Sequence, residues 1–150
     1  MRDSIVGIFI GSLIGAAVIN GFSLLFYVLG ISPFTAGAVA AEIFLRNNLV
    51  HTPSGIFIGL VATTALSFGT ATLTWLILRW TGKDWAWLKG IIAAQAFTFL
   101  GVGLFMPLLG IAPSFRNYGL AHIAALANMI FLGLAQGLWL VYWQQPTIRS

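Results

Sequence analysis

Four long apolar stretches, at residues 5–29, 55–80, 88–109 and 120–143, restrict this chain more than any other feature it has. A helix needs around 20 apolar residues to cross a hydrocarbon core about 30 Å thick, and each stretch supplies that many. Where water is absent the backbone must satisfy its own hydrogen bonds, which leaves helices and closed barrels. None of the stretches alternates polar and apolar residues, the pattern of a barrel strand, so helices are expected. Composition agrees: 59% of the 150 residues are hydrophobic and 7% are charged, against roughly a quarter charged in a soluble domain. The expectation is an all-α membrane protein, a four-helix transmembrane bundle in a single domain over residues 1–150.

The first stretch follows Arg2, as in a signal peptide, but its apolar region is far longer than the roughly 7–15 residues of a cleaved one. It is expected to be retained as a span. Cysteine is absent, which excludes disulfides, thiolate metal sites and cysteine nucleophiles. A net charge of +4 raises the question of nucleic acid, yet the cations sit in short connectors and form no continuous basic face. Nucleic acid is therefore not an expected partner. The bilayer is, together with either a second copy of the chain or another membrane subunit.

The connector after the first span reads "ISPFTAGAVAAEIFLRNNLVHTPS". Ser32 suits an N-cap, Pro33 the first helical position, and Glu42 stands four residues before Arg46. About three helical turns fit there, too few to span, so a short interfacial or re-entrant helix is expected. Cations then orient the bundle. With the N-terminus inside, Arg2, Arg79, Lys83, Lys89 and Arg149 fall on one side and Arg46 and Arg116 on the other. The positive-inside rule places both termini in the cytoplasm of a cell bounded by this membrane.

Two segments echo one another. "LGISPF" at 29–34 follows the first span and "LGIAPSF" at 109–115 follows the third, while "RNNLVH" at 46–51 and "RNYGLAH" at 116–122 lead into the second and fourth. Two helical hairpins in the same orientation, related by an axis along the membrane normal, would produce this echo. So would turn chemistry used twice, since proline discourages helix before it and glycine tolerates turn conformations.

The inner connector, "RWTGKDWAWLKG" at 79–90, lies between two spans. With the glycine-rich first span and a histidine at the head of the last, it resembles a loose group of small four-helix bacterial membrane proteins, the YqhR-like proteins among them. The resemblance implies a bacterial cytoplasmic membrane and four spans. It implies no catalytic residues.

Chemistry has few carriers here. Asp3, Glu42 and Asp84 are the only acids and all fall outside the spans, so a proton relay within the bundle has no carboxylate. No serine stands in a nucleophile-elbow pattern. His51 and His122, at matching places in the echo, could bind a haem iron or hydrogen-bond a quinone; as interface residues they would do neither. No other metal ligand set is present and no cofactor is expected. Asn20, Gln95, Asn128 and Gln136 are amides inside the spans. Counted at about 1.5 Å per residue, Asn20 and Asn128 fall at one depth and Gln95 and Gln136 at another, as if in two paired layers. Interhelical hydrogen bonding or a polar substrate path would use them.

Gly7, Gly11 and Gly15 recur every four residues on the first span, and Gly55, Gly59, Thr63 and Ser67 do so on the second. Small residues at this spacing let helices approach closely, either these two helices on each other or on a second subunit. Around the inner connector, Arg79, Lys83 and Lys89 alternate with Trp80, Trp85 and Trp87, a composition suited to lipid headgroups. The sequence thus points to a non-catalytic structural or interaction module of the membrane. A small transporter with an amide-lined path and an electron-transfer subunit using the two histidines are the alternatives.

Overall fold

The computed structural model describes residues 3–144; Arg2 and Arg149, which entered the cation count, lie outside them. Helix α1, Ser4–Val28, starts where the Asp3 carboxylate accepts the Ile5 N–H at 2.8 Å. The first elbow holds a short helix α2, Ala36–Ala41, and a single 3-10 turn, Asn47–Leu49. Helix α3, Pro53–Thr81, opens with the Thr52 hydroxyl accepting the Gly55 N–H and a proline in the first turn, where its missing N–H costs nothing. After a tight connector come α4, Ala86–Thr98, a π-helical segment, Phe99–Phe105, and α5, Met106–Leu109, which together make one rod. The second elbow contains α6, Pro113–Arg116, and leads into α7, Gly119–Trp143.

Four helical rods are long and apolar enough to cross a membrane, as their sequence suggested, and no strand occurs among the described residues. Each boundary lies within about two residues of the expected one, the drift common at helix ends. Helix α1 packs on α3 and α7, and α4 packs on α7 and α3, so the rods close into a bundle. Phe34 of the first elbow meets Phe115 and Tyr118 of the second, ring to ring, at 5.9 and 5.5 Å. At the opposite end Lys83 donates to the Gln144 carbonyl at 2.9 Å, and the Trp143 indole donates to the Asp3 carbonyl at 2.9 Å. Both elbows therefore share one end of the bundle, and neighbouring rods run antiparallel. Large apolar side chains such as Phe57, Phe99 and Leu108 point outward, as a hydrocarbon surrounding permits and water does not.

Three expectations need correction. The elbow helix is shorter than three turns, and Thr35, not Ser32, caps it: the Thr35 hydroxyl accepts the Ala38 N–H at 3.2 Å. Ser32 instead bonds Phe34, donating to its carbonyl and accepting its N–H, a local turn that competes with helix. Helix α2 ends before Glu42, so Glu42 and Arg46 are not one helical turn apart. Gly37 of α2 abuts Gly59 of α3, about 9 Å along from the start of that helix. Of the two placements expected for the short helix, interfacial and re-entrant, its contact with Gly59 matches the second.

The third rod is not uniformly α-helical. Pro107 has no N–H to give and its ring crowds the carbonyl four residues earlier. The turn before it widens, and the Met106 N–H reaches back five residues to the Gly101 carbonyl. Gly101 and Gly103 lie in the widened turn, where the lack of a side chain lowers the cost of leaving the α conformation.

The glycine stripes serve internal packing. A methyl group on Gly7 or Gly11 would run into Trp143 or Trp139 of α7, and one on Gly15 into Ser67 and Gln136. Gly55 faces the Leu49 and Val50 carbonyls, and Gly59 faces α2. So α1 presents its stripe mainly to α7, not to α3. A further close crossing was not among the expectations: Gly90 of α4 lies against the backbone of Gly133, and Gly137 lies against Ala86.

Candidate functional site

The polar side chains of the spans fall into two groups. The first is a clasp in the middle of the bundle. Gln136 of α7, fully buried, donates from Nε2 to the Ser67 carbonyl and to Ser67 Oγ, each at 2.9 Å. Its Oε1 accepts from the Thr70 hydroxyl at 3.0 Å, and Ser67 Oγ donates onward to the Ser12 carbonyl at 2.7 Å. Three helices are joined by groups with no exposure to the surroundings. Nearer the elbows, Asn20 Nδ2 donates to Thr63 Oγ1 at 2.8 Å and to the Ala16 carbonyl. On the other face Gln95 Nε2 donates to the Leu126 carbonyl at 2.9 Å, tying α4 to α7.

These bonds revise the two-layer expectation. Amides bond to hydroxyls and carbonyls across helix interfaces, and no amide–amide hydrogen bond occurs among the described residues. The hydroxyl partners, Thr63, Ser67 and Thr70, stand on α3; the sequence reading took Thr63 and Ser67 only as small residues and did not single out Thr70. Hydroxyl residues three and four apart along one face of an apolar helix were the signal available for them.

The second group faces a cavity of about 110 Å3 between the two elbows. Ile19 and Phe26 of α1, Phe34 and Val39 of the first elbow, Val102 of the π segment and Phe115 of α6 are among the residues that wall it. Asn128 of α7 also lines it, is 4% exposed, and its Oδ1 has no hydrogen-bond partner. Among the described residues no ionisable side chain contributes to the lining. Above the cavity Phe115 packs edge-on against His122 at 4.6 Å, closing an aromatic cluster with Phe34 and Tyr118. The elbow backbone is forced to fit: buried Ala112 has φ 47°, in the left-handed region that alanine rarely enters.

The two histidines have unlike surroundings. His122 is half-buried in the aromatic cluster. His51 is exposed beside a second, shallower cavity of about 230 Å3 that Asn20 and Gly37 also line. Burial pushes the nearby Glu42 carboxyl above its ordinary value, and His51 pulls it partly back. No group of three or more potential metal ligands gathers among the described residues.

At the inner connector the lysines bond to the protein itself. Lys89 Nζ donates to the Thr81 and Gly82 carbonyls at 3.1 and 2.9 Å, and Lys83 to Gln144, each satisfying the open C-terminal end of a helix. Arg79 lies over the Trp75 ring at 5.2 Å, while Trp80 and Trp85 remain largely exposed and Trp87 is exposed beside Trp85. Trp85 itself adopts a left-handed conformation, φ 57°, to turn the chain into α4.

Comparison with protein families, with curated proteins and with solved structures finds no match to this chain.

Proposed function

We propose that the chain is a non-catalytic structural or interaction module of a bacterial cytoplasmic membrane, with four spans and both termini inside. In this reading the elbows and Arg46 and Arg116 face outward, while Arg79, Lys83 and Lys89 meet the anionic inner leaflet. The two halves are pseudo-equivalent helical hairpins in the same orientation, the first enlarged by α2. The observation that carries the reading is the clasp: Gln136, Ser67 and Thr70 spend their hydrogen bonds holding three helices together in the buried middle of the bundle. A polar path along the membrane normal would leave such groups open to solvent. An enzyme would present a nucleophile and base, or paired carboxylates, in mutual reach.

The test uses purified protein in lipid nanodiscs and in liposomes. A visible spectrum without haem or flavin bands, and liposomes no leakier to small solutes than empty ones, are expected. A chromophore lost on His51→Ala or His122→Ala would replace this reading with electron transfer. A solute flux abolished by Asn20→Leu would replace it with transport.

A further inference from the structure

We propose that the cleft beside His51 is an aqueous vestibule: water enters it at the elbow end of the bundle and reaches Asn20 inside the hydrocarbon layer. The cleft has a volume of about 230 Å3, room for several waters. It lies between α1, the first elbow and α3, and Asn20, Thr35 and His51 are its polar side chains.

These three leave hydrogen-bonding capacity open, whereas the closed interfaces do not. Asn20 commits Nδ2 to Thr63 Oγ1 and the Ala16 carbonyl, and its Oδ1 accepts nothing from the described residues. That oxygen sits beside Gly37 of the cleft wall, where an added methyl group would stand 3.4 Å from it. Unlike the shut-off oxygens of Gln95 and Asn128, it keeps accessible surface. Thr63, Thr70, Thr74 and Thr98 each donate a hydroxyl to a carbonyl of their own helix. Thr35 only accepts, from the Ala38 N–H, and exposed His51 makes no hydrogen bond to the described residues. An open acceptor, an uncommitted hydroxyl and a free imidazole call for an occupant that both donates and accepts. Lipid tails do neither, and leaving such groups in hydrocarbon is costly.

The backbone gives a separate argument. The chain at Thr35 is extended, with φ −93° and ψ 153°, and the next N–H, of Ala36, is held by Ser23 Oγ inside α1. Irregular backbone at membrane depth is tolerated where protein covers it or where it lines a water-filled cavity. Thr35, Gly37 and Ala38 line this one. Depth makes the cleft the route: Asn20 stands about 12 Å from the Val28 end of α1, a helix only about 7 Å longer than the hydrocarbon is thick. Further in, the Asn20–Thr63 bond and the enclosed Gln136 clasp close the way, so the vestibule is blind and the bundle stays sealed.

Two neighbours on α3 provide the test. Leu60 lines the cleft and is 49% exposed, while Val61 is 54% exposed and does not line it. They differ in depth by about 1.5 Å and lie about 10–12 Å from the start of a helix about 43 Å long, inside the hydrocarbon. Lipid alone would treat them alike. The chain has no cysteine, so Leu60→Cys and Val61→Cys each carry one thiol. Both are reacted in nanodiscs with a small water-soluble methanethiosulfonate, which reaches both faces, so the outcome does not depend on which end of the bundle is outside.

Only the thiolate reacts, and apolar surroundings suppress it. Leu60→Cys should react at least about tenfold faster than Val61→Cys, the loss of thiolate for each unit by which such surroundings raise a thiol pKa. Spin labels on the same two cysteines, read by electron spin echo in deuterated water, should show the stronger deuterium modulation at residue 60. Equal rates or equal modulation at the two positions, or the larger value at residue 61, would overturn the proposal.

Discussion

Gln136 on α7 holds Ser67 on α3 by two hydrogen bonds from one amide nitrogen, to the carbonyl and to the hydroxyl, both at 2.9 Å. The pair is fully enclosed, and Ser67 passes the connection to α1 through the Ser12 carbonyl. Between apolar helices in an apolar surrounding, burial gives no preference for one helix register over another, so such bonds help decide it. Gln136→Leu keeps the approximate volume and removes every one of its bonds. At about 0.6–2 kcal/mol for an interhelical hydrogen bond, the variant should unfold at a lower temperature in detergent. An unchanged midpoint would mean the clasp follows the packing without reinforcing it.

Backbone contact between α4 and α7 makes a sharper demand. A methyl group on Gly133 would meet the Gly90 carbonyl carbon and the Ile91 Cα at 2.7 Å, and backbone has little freedom to retreat. Gly133→Ala should destabilise by about 1–3 kcal/mol, the usual range for overpacking. Gly21→Ala is the control, because nothing lies within 4 Å of the added methyl; in a helix interior it should stabilise by roughly 0.5–1 kcal/mol. Equal effects from the two, read by thermal denaturation, would rule out the close crossing.

Glu42 predicts a pH dependence. Burial raises its carboxyl above the ordinary value of 4.5, against a smaller opposing pull from His51. Between that ordinary value and the raised one the unfolded chain has released the proton while the folded chain retains it. Stability is therefore greatest below the window and falls as pH rises through it. Melting temperatures of wild type and Glu42→Gln, compared from about pH 4 to pH 7, should show the decline in the wild type and a flatter profile in the variant. Parallel profiles would show that the carboxyl is not perturbed.

The four rods were legible because length and apolarity alone decide whether a helix can span, and those are properties of sequence. Which face meets which neighbour was not. Gly7 and Gly11 were readable as a close-packing stripe, yet their partners are Trp139 and Trp143, more than a hundred residues away, and no local pattern names a partner at that distance. Gly133 and Gly137 stand four residues apart on α7, the spacing of Gly7 and Gly11, so their half of the contact had a signal in the sequence. Gly90 stands alone on α4 and joins them only where α4 and α7 cross. The widening before Pro107 was foreseeable, since proline within a helical run must disturb it.

Of the candidate site, the sequence singled out Asn128 and His122 but assigned both to other company. Depth along a helix placed Asn128 with Asn20, whereas Asn20 turns to Thr63 and leaves Asn128 facing the cavity. Phe34 and Phe115, which wall that cavity, belong to the two echoing segments and were read only for their prolines and glycines.

The central claim is that the rods cross a membrane with both elbows on its outer face, and residue accessibility tests it most directly. The native chain has no cysteine, so Thr81→Cys and Asn117→Cys each carry one thiol, at exposed positions on opposite ends of the bundle. Intact cells treated with a membrane-impermeant maleimide should label Asn117→Cys at once and Thr81→Cys only after permeabilisation. Labelling of both in intact cells, or of Thr81→Cys alone, would contradict the account.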